Sequence, residues 1–415
     1  MKYINKDSQT NAELMRLCRV SKNLYNQTLY AIRQVLDNED RFMFYQETNT
    51  LLQATTNLEG EINYRLLKAQ VAQQVLRQVD SVIKGYIHSI KDWSKNKNKN
   101  KNKDKYTGKP ELPKYKRKNG YNLLVYTNQC CKISKGYIHF SKTLKVRIPQ
   151  WEEYQDKLKS FHQVRVLPKN NEQCEIEIVY DSNEVNNYLD YNKVAGIDLG
   201  VNNLVTLIGS NMTPLLYNGK QIKSLNRYFN KEIAKAKSEL EKVNGYKSSK
   251  RIRAMYAKRG RQLDDIFHKI SRHIVNVCLS NGIGRLVLGY NSGWKDSIHI
   301  GTVNNQNFVQ IPYDKLKSML TYKCDLCGIE FVVTEESYSS KCDGLLFETV
   351  CKHDSYGGKR IKRGLYQSGT GRLINADVNG AFNILRKVVN DSELYQIVDS
   401  GRLFRPIKLH NLYEL

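Results

Sequence analysis

From Asn192 onward, short apolar runs of strand length alternate with long helical stretches, and that alternation restricts the fold more than any other feature of the chain. Residues 194–198 and 204–207 read as an antiparallel pair joined by a Gly/Asn turn. Two long basic helices follow, at about 221–243 and 250–281. A short buried strand at 286–289, a helix at 313–327, a strand at 330–335 and a last clear helix at about 378–389 complete the pattern. Strands interleaved with helices in this way predict a mixed α/β sheet. Beyond residue 390 the chain reads as a short, mobile tail.

The first half differs in kind. Residues 9–93 read as helices: Leu14, Leu17, Val20, Leu24 and Leu29 fall near helical spacing, and a second helix is expected at about 41–56. A third, at about 63–93, carries Leu67, Val71, Val75, Val79, Ile83 and Ile87 at four-residue steps, as the core face of a bundle does. Then Lys95, Lys97, Lys99, Lys101, Lys103 and Lys105 alternate with Asn and Asp, a run unable to bury apolar surface, which predicts a basic linker or flexible loop. Just after it, Lys114, Tyr115, Lys116 and Arg117 set cations around a ring that can stack, a combination that suits phosphate contact. Residues 120–182 contain strand-like runs at 122–126, 136–140, 145–148, 164–166 and 174–180, which predict a small barrel or sandwich.

Composition narrows the partners. Lys and Arg number 66 against 41 acids, a formal net charge of +25 that opposes compaction unless an anion neutralises it. Nucleic acid is the commonest such polyanion. No apolar run is long enough to span a bilayer, and neither a signal peptide nor a lipidation motif is evident, so no membrane partner is expected. Nine scattered cysteines, an odd number without a secretory signal, predict a reducing cytoplasm rather than a disulfide framework. Neither a Walker loop nor a dinucleotide fingerprint is present. His268 and His273 lie on the second basic helix and read as surface or backbone-facing residues, and Trp294 reads as a packing residue.

Two acidic motifs carry the chemistry. In Gly196-Ile197-Asp198-Leu199-Gly200-Val201-Asn202-Asn203 an aspartate ends an apolar strand between glycines. In Asn375-Ala376-Asp377-Val378-Asn379-Gly380-Ala381-Phe382-Asn383-Ile384 an aspartate opens a helix, where it also suits the helix dipole and a capping role. The two motifs resemble the first and third RuvC motifs of TnpB, a family of transposon-encoded RNA-guided nucleases related to the type V CRISPR effectors. The resemblance extends to the basic helical N-terminal half, the Lys-rich stretch before Pro113-Lys114-Tyr115-Lys116, the β segment and Ser337-Tyr338-Ser339-Ser340-Lys341.

The resemblance implies a multidomain fold: an α-helical recognition lobe with its Lys-rich linker at 1–105, a β-rich wedge-like barrel at 106–190, an RNase H-like (RuvC) α/β nuclease domain at 191–390 and a tail at 391–415. A degenerate zinc-finger or target-strand-loading insert is implied at about 340–375. The implied activity is RNA-guided, Mg²⁺-dependent DNA cleavage next to a short duplex motif, by a monomeric ribonucleoprotein in a prokaryotic cytoplasm, nucleoid-associated when on target. Its partners would be a guide RNA of the omega RNA kind and a double-stranded DNA target. Two Mg²⁺ ions roughly 4 Å apart would be held by carboxylates, with Asp198 bridging both and Asp377 holding one. Nucleic acid would meet Lys114, Tyr115, Lys116, Arg117, Arg251, Arg253, Lys258, Arg259, Arg360 and Arg363. Two alternatives stay open: a nuclease-inactive RNA-guided DNA-binding regulator, and a compact type V CRISPR effector with array-derived guides.

The chain departs from the family at two places. The third carboxylate ends the strand that here reads Arg285-Leu286-Val287-Leu288-Gly289-Tyr290, so Gly289 stands where Glu is expected. Glu335 and Glu336 end the neighbouring strand, and since successive strand residues face opposite sides, one of them should point inward. Glu336 is the expected replacement and Glu335 its alternative. The second departure is zinc: only Cys342 and Cys351 lie between Tyr338 and Asp377. A four-cysteine site would have to recruit Cys324 and Cys327, or His353 as a substitute, and zinc is not expected. The Gly- and Lys-rich stretch 357–372 then reads as a zinc-free flexible flap, suited by its charge to steering a nucleic-acid strand.

Overall fold

The computed structural model divides the chain into two compact units, Met1–Ser182 and Asn183–Leu415. The described residues are 1–95, 108–169, 172–181, 188–244, 248–291 and 310–415. The Lys/Asn run beyond Lys95 and Trp294 lie outside them. Among the described residues no helix is long and apolar enough to cross a membrane.

The first unit contains β1 (Lys2–Ile4), α1 (Ser8–Glu39), α2 (Tyr45–Leu52), α3 (Ala69–Lys95), β2 (Leu124–Thr127), β3 (Lys132–Ser134), β4 (Tyr137–His139), β5 (Lys145–Arg147), α4 (Trp151–Tyr154), β6 (Phe161–Pro168) and β7 (Cys174–Tyr180). Asp7 caps α1 by accepting the Thr10 N–H at 2.6 Å. The four-residue stripe buries Val71, Val75, Val79 and Ile83 as expected. The third helix starts at Ala69 rather than near 63, because the preceding side chains bond elsewhere: Asn63 donates to Gln27 Oε1 and the Tyr64 hydroxyl to Asn49 Oδ1, both at 2.9 Å. Where a barrel or sandwich is expected, the strands form an open sheet, β1-β7-β6-β2, and a second sheet, β3-β4-β5, with buried residues of both in one core. The open sheet packs against α1 and α3, and Leu14, Leu24, Val75 and Val79 share one core with Val164, Val166, Ile176 and Ile178. Helices and strands expected to form separate domains thus bury each other.

The second unit contains β8 (Asp190–Leu199), β9 (Asn203–Gly209), β10 (Leu215–Asn218), α5 (Lys220–Asn244), α6 (Lys250–Ser280), β11 (Ile283–Gly289), α7 (Tyr313–Asp325), β12 (Glu330–Thr334), β13 (Lys359–Lys362), β14 (Leu365–Gln367), β15 (Leu373–Asn375), α8 (Ala376–Arg386), α9 (Asp391–Asp399) and β16 (Ile407–Leu409). Its main sheet has the order β12-β11-β8-β9-β10-β16. Strands β12, β11 and β8 run parallel, and β9 is antiparallel to both β8 and β10. The sheet separates two cores, and the period-two alternation of a strand decides which residue enters which. Ala195, Ile197, Leu286 and Leu288 pack with α6 and α7. Val194, Ile208 and Val287 face α8. Residues 391–415, read as a mobile tail, fold: β16 pairs in parallel with β10, and Leu412 is buried.

The stretch read as a flexible flap also folds, as the antiparallel sheet β13-β14-β15. It is anchored by buried Tyr366, whose hydroxyl donates to the Lys341 carbonyl at 2.9 Å. The buried Asp343 carboxylate accepts from the Ser368 hydroxyl and the Gly369 N–H, both at 2.7 Å.

Candidate metal centre

Parallel strands bring the C-terminal ends of β8, β11 and β12 to one edge, where open α/β sheets place their ligands. Register does the rest. Ile197 lies opposite Leu288, and Gly289 opposite Thr334, so Asp198, Gly289 and the residues after Thr334 share one level. By alternation Asp198 and Gly289 belong to the α8 face. Helix α8 lies close on that face: a Cβ added at Gly196 would come within 2.6 Å of Leu385 Cγ, and one at Gly380 would sit 3.4 Å from Asp198 Oδ2.

The same contact explains Gly289. A Cβ there would meet Ile384 Cδ1 at 2.4 Å and Glu336 Cβ at 3.4 Å. The volume that a glutamate at 289 needs is filled by Ile384, and Glu336 stands beside it.

Asp377 lies in the first turn of α8 but does not cap the helix. Asn375 does, accepting the Asp377 and Val378 N–H groups at 3.0 and 3.2 Å. That leaves the Asp377 carboxylate free for the site, where Oδ2 accepts from Asn203 Nδ2 at 2.7 Å and Oδ1 lies 3.7 Å from the Arg360 guanidinium. Asn203 belongs to the first acidic motif, but nothing in the sequence assigns it to Asp377.

The two glutamates separate in kind. Glu335 faces outward, pairs with Lys387 and accepts the Ser337 N–H at 2.7 Å. The Lys387 ammonium, joined by the Ser337 donors, pulls its carboxyl down to about 2. Glu336 turns inward, and its N–H donates to Asn291 Oδ1 at 3.2 Å. Burial, with the Glu335 charge adding to it, pushes its carboxyl up to about 7. Burial pushes Asp198 well above the usual carboxylate range, and the Asp377 and Glu336 carboxylates push it further, against Arg360. Tyr313 walls the site: its hydroxyl donates to the Gly200 carbonyl at 2.7 Å, and burial together with the Asp198 and Glu336 carboxylates raises it. Asp198, repelled by both Asp377 and Glu336 at a desolvated sheet edge, suits hard divalent cations.

Other expected residues lie elsewhere. Lys114 pairs with Glu111 at 2.8 Å, Tyr115 receives the Arg33 guanidinium over its ring, Lys116 lies over Tyr25, and Arg117 is exposed. Arg251 reaches Glu239 at 3.4 Å, while Arg253, Lys258 and Arg363 are exposed. Arg259 is engaged within the protein: Nε donates to Asn226 Oδ1 at 2.9 Å and a terminal nitrogen to the Gln310 carbonyl at 2.8 Å. Rather than facing surface or backbone, His273 bonds the buried Tyr217 hydroxyl at 2.8 Å. His268 is exposed.

The four-cysteine set does not assemble. Cys324 and Cys327 sit in the apolar core with Leu316 and Leu320. Cys342 instead neighbours Cys351, whose carbonyl lies 3.4 Å from its sulfur. Among the described residues, Cys342, Glu348 and His353 do bring one ligand atom each within 4.8 Å of one another. Protein hydrogen bonds already hold that group: Glu348 accepts from Asp343 N and Gly357 N, and His353 Nε2 lies 2.7 Å from the Thr349 carbonyl.

Residues 177–295 match the OrfB_IS605 family, described as a probable transposase, and residues 313–384 match the Cas12f1-like TNB domain. The TnpB-like protein ORF457 of Acidianus two-tailed virus is 29% identical over 232 residues, 52% of this chain and 48% of that protein. Similarity over about half of the chain is what these matches show. The CRISPR-associated endodeoxyribonuclease Cas12f1 of Sulfoacidibacillus thermotolerans is 26% identical over 221 residues, 50% of this chain and 49% of that protein. The matches to TnpB-like ORF457 and Cas12f1 span about half the length of each relative. A Cas12f1 chain in a cryo-EM structure of a Cas12f1–sgRNA–target DNA complex aligns over 91% of this chain and 83% of its own, with a TM-score of 0.53 at 13% identity, a likeness of fold.

Proposed function

We propose that the chain is an RNA-guided, Mg²⁺-dependent DNA endonuclease whose RNase H-like (RuvC) site uses a relocated glutamate. The observation that carries this reading is the inward turn of Glu336 toward the level of Asp198, with Asp377 brought in by α8. Asp198, Glu336 and Asp377 are the residues to hold the ions, which would supply a water nucleophile and charge stabilisation at the leaving oxygen. The chain's own residues orient that set: Asn203 steers Asp377, Asn291 the Glu336 backbone, and Tyr313 the turn after Asp198. Arg360 and the neighbouring exposed Arg363 on the β13–β14 hairpin are cations suited to a DNA strand entering the site. The first unit, with its helices and strands on one core, is the part proposed to grip guide RNA and heteroduplex through phosphates, as recognition lobe and wedge. The net charge of +25 and the kinship with TnpB and Cas12f1 support nucleic-acid partners.

Gly289, which leaves β11 without a carboxylate, favours one second reading: a nuclease-inactive, RNA-guided DNA-binding regulator. Glu336→Ala separates the two. We expect it to abolish Mg²⁺-dependent cleavage while target binding survives; cleavage at the parental rate would remove Glu336 from the site. Sequencing the RNA that stays bound through a high-salt wash, after expression with the native flanking DNA, tests guidance itself. One abundant RNA from beside the gene supports a transposon-type guide, repeat-spacer RNA supports a CRISPR effector, and no discrete RNA overturns the guided reading.

A further inference from the structure

Glu336 does not lie on a strand. β12 ends at Thr334, so pleat and ladder hold Gly289 and Asp198 but not the residue that replaces the missing carboxylate. A loop residue needs another restraint, and one is present. Lys387, at the C-terminal end of α8, has a side chain only 9% exposed. Its ammonium donates to Glu335 Oε1 and, at 2.7 Å, to the Ser337 carbonyl. It therefore grips the residues immediately before and after Glu336. Glu335 closes the loop by accepting the Ser337 N–H, and the Glu336 carbonyl accepts from the Ser339 hydroxyl at 2.8 Å. A lysine needed only to complement the helix dipole would serve from solvent, where its charge costs little.

We propose that Lys387 is a positioning residue of the metal centre: by clamping Glu335 and the Ser337 carbonyl it turns Glu336 toward Asp198. The helix that carries Asp377 at its first turn thus also orients, from its other end, a carboxylate it does not bear. The inference rests on the reading of Glu336 as a metal ligand.

The test is a Mn²⁺ titration of the full chain followed by electron paramagnetic resonance, with thermal unfolding in parallel. Groups that orient a ligand are commonly worth about 10- to 100-fold in metal affinity. Lys387→Met is therefore expected to weaken Mn²⁺ binding at least about 10-fold. Lys387→Arg should recover most of the loss. Glu335→Ala, on an exposed side chain that does not threaten folding, should weaken binding likewise, and adding it to Lys387→Met should cost little more. If Lys387→Met (or Glu335→Ala, should the former not fold) lowers only the melting temperature and keeps parental Mn²⁺ affinity while Glu336→Ala loses it, the clamp is wrong. If Glu336→Ala itself keeps parental affinity, the ligand assignment beneath it falls instead.

Discussion

Glu335 and Glu336 are neighbours with the same side chain, yet their carboxyls sit at about 2 and about 7. The difference is environment alone: one is exposed and paired with Lys387, the other is half-buried beside Gly289. A carboxyl raised on folding binds its proton more tightly in the native state, so stability falls as pH rises from the ordinary value of 4.5 towards about 7. Metal-free protein should therefore lose melting temperature between pH 5 and pH 8, and Mg²⁺ should restore it at pH 8. Glu336→Gln should flatten the part of the profile that Glu336 contributes; an unchanged profile in that variant would place the titration elsewhere. Gly289→Ala tests the packing beside it. With Ile384 Cδ1 at 2.4 Å from the new Cβ, the overlap should cost about 1–3 kcal/mol by chemical denaturation, and a neutral substitution would mean that the Ile384 side chain turns aside.

At the scale of elements, α8 organises the second unit's site: its cap frees Asp377, its Gly380 lies against Asp198, and its C-terminal end reaches the glutamate loop. Asn375→Ala removes the cap and should cost about 1 kcal/mol of stability, with a weaker response to Mg²⁺ because the first turn holds Asp377. The strand β16 supplies the outer edge of the sheet, so truncation before Arg405 should lower the melting temperature of the chain; no change would mean that β10 stands as an edge unaided.

Much of this was legible in the sequence, for physical reasons. The long helices and the strands read at 194–198, 204–207, 286–289 and 330–335 follow periodicity, and alternation at the end of the last of them lets only one of Glu335 and Glu336 face inward. What escaped was set by contacts between distant residues. Lys2–Ile4 and Ile407–Leu409 are too short to show a period and exist because β7 and β10 offer them partners. Asn203 and Lys387 take their roles from Asp377 and Glu335, which no local pattern links to them. The Gly- and Lys-rich composition of 357–372 conceals a hairpin held from outside its own strands by the Lys341 carbonyl, which accepts from Tyr366, and by Asp343.

At the scale of the whole molecule, charge is the property that sequence states most directly. A net +25 should make association with duplex DNA steeply salt-dependent. Neutralising about six or more phosphates predicts a log–log slope steeper than about −5, read by fluorescence anisotropy between 50 and 200 mM salt. A slope near zero would remove phosphate neutralisation as the source of affinity. The carboxylates come from three places in the second unit: β8 near its start, the loop after β12, and α8 towards its end. A nascent or clipped chain that stops short of α8 holds Asp198 and Glu336 but neither Asp377 nor the lysine that orients the loop. Such a chain could still offer its surplus of cations to nucleic acid, and it would do so without the full set of acids proposed to hold the metal.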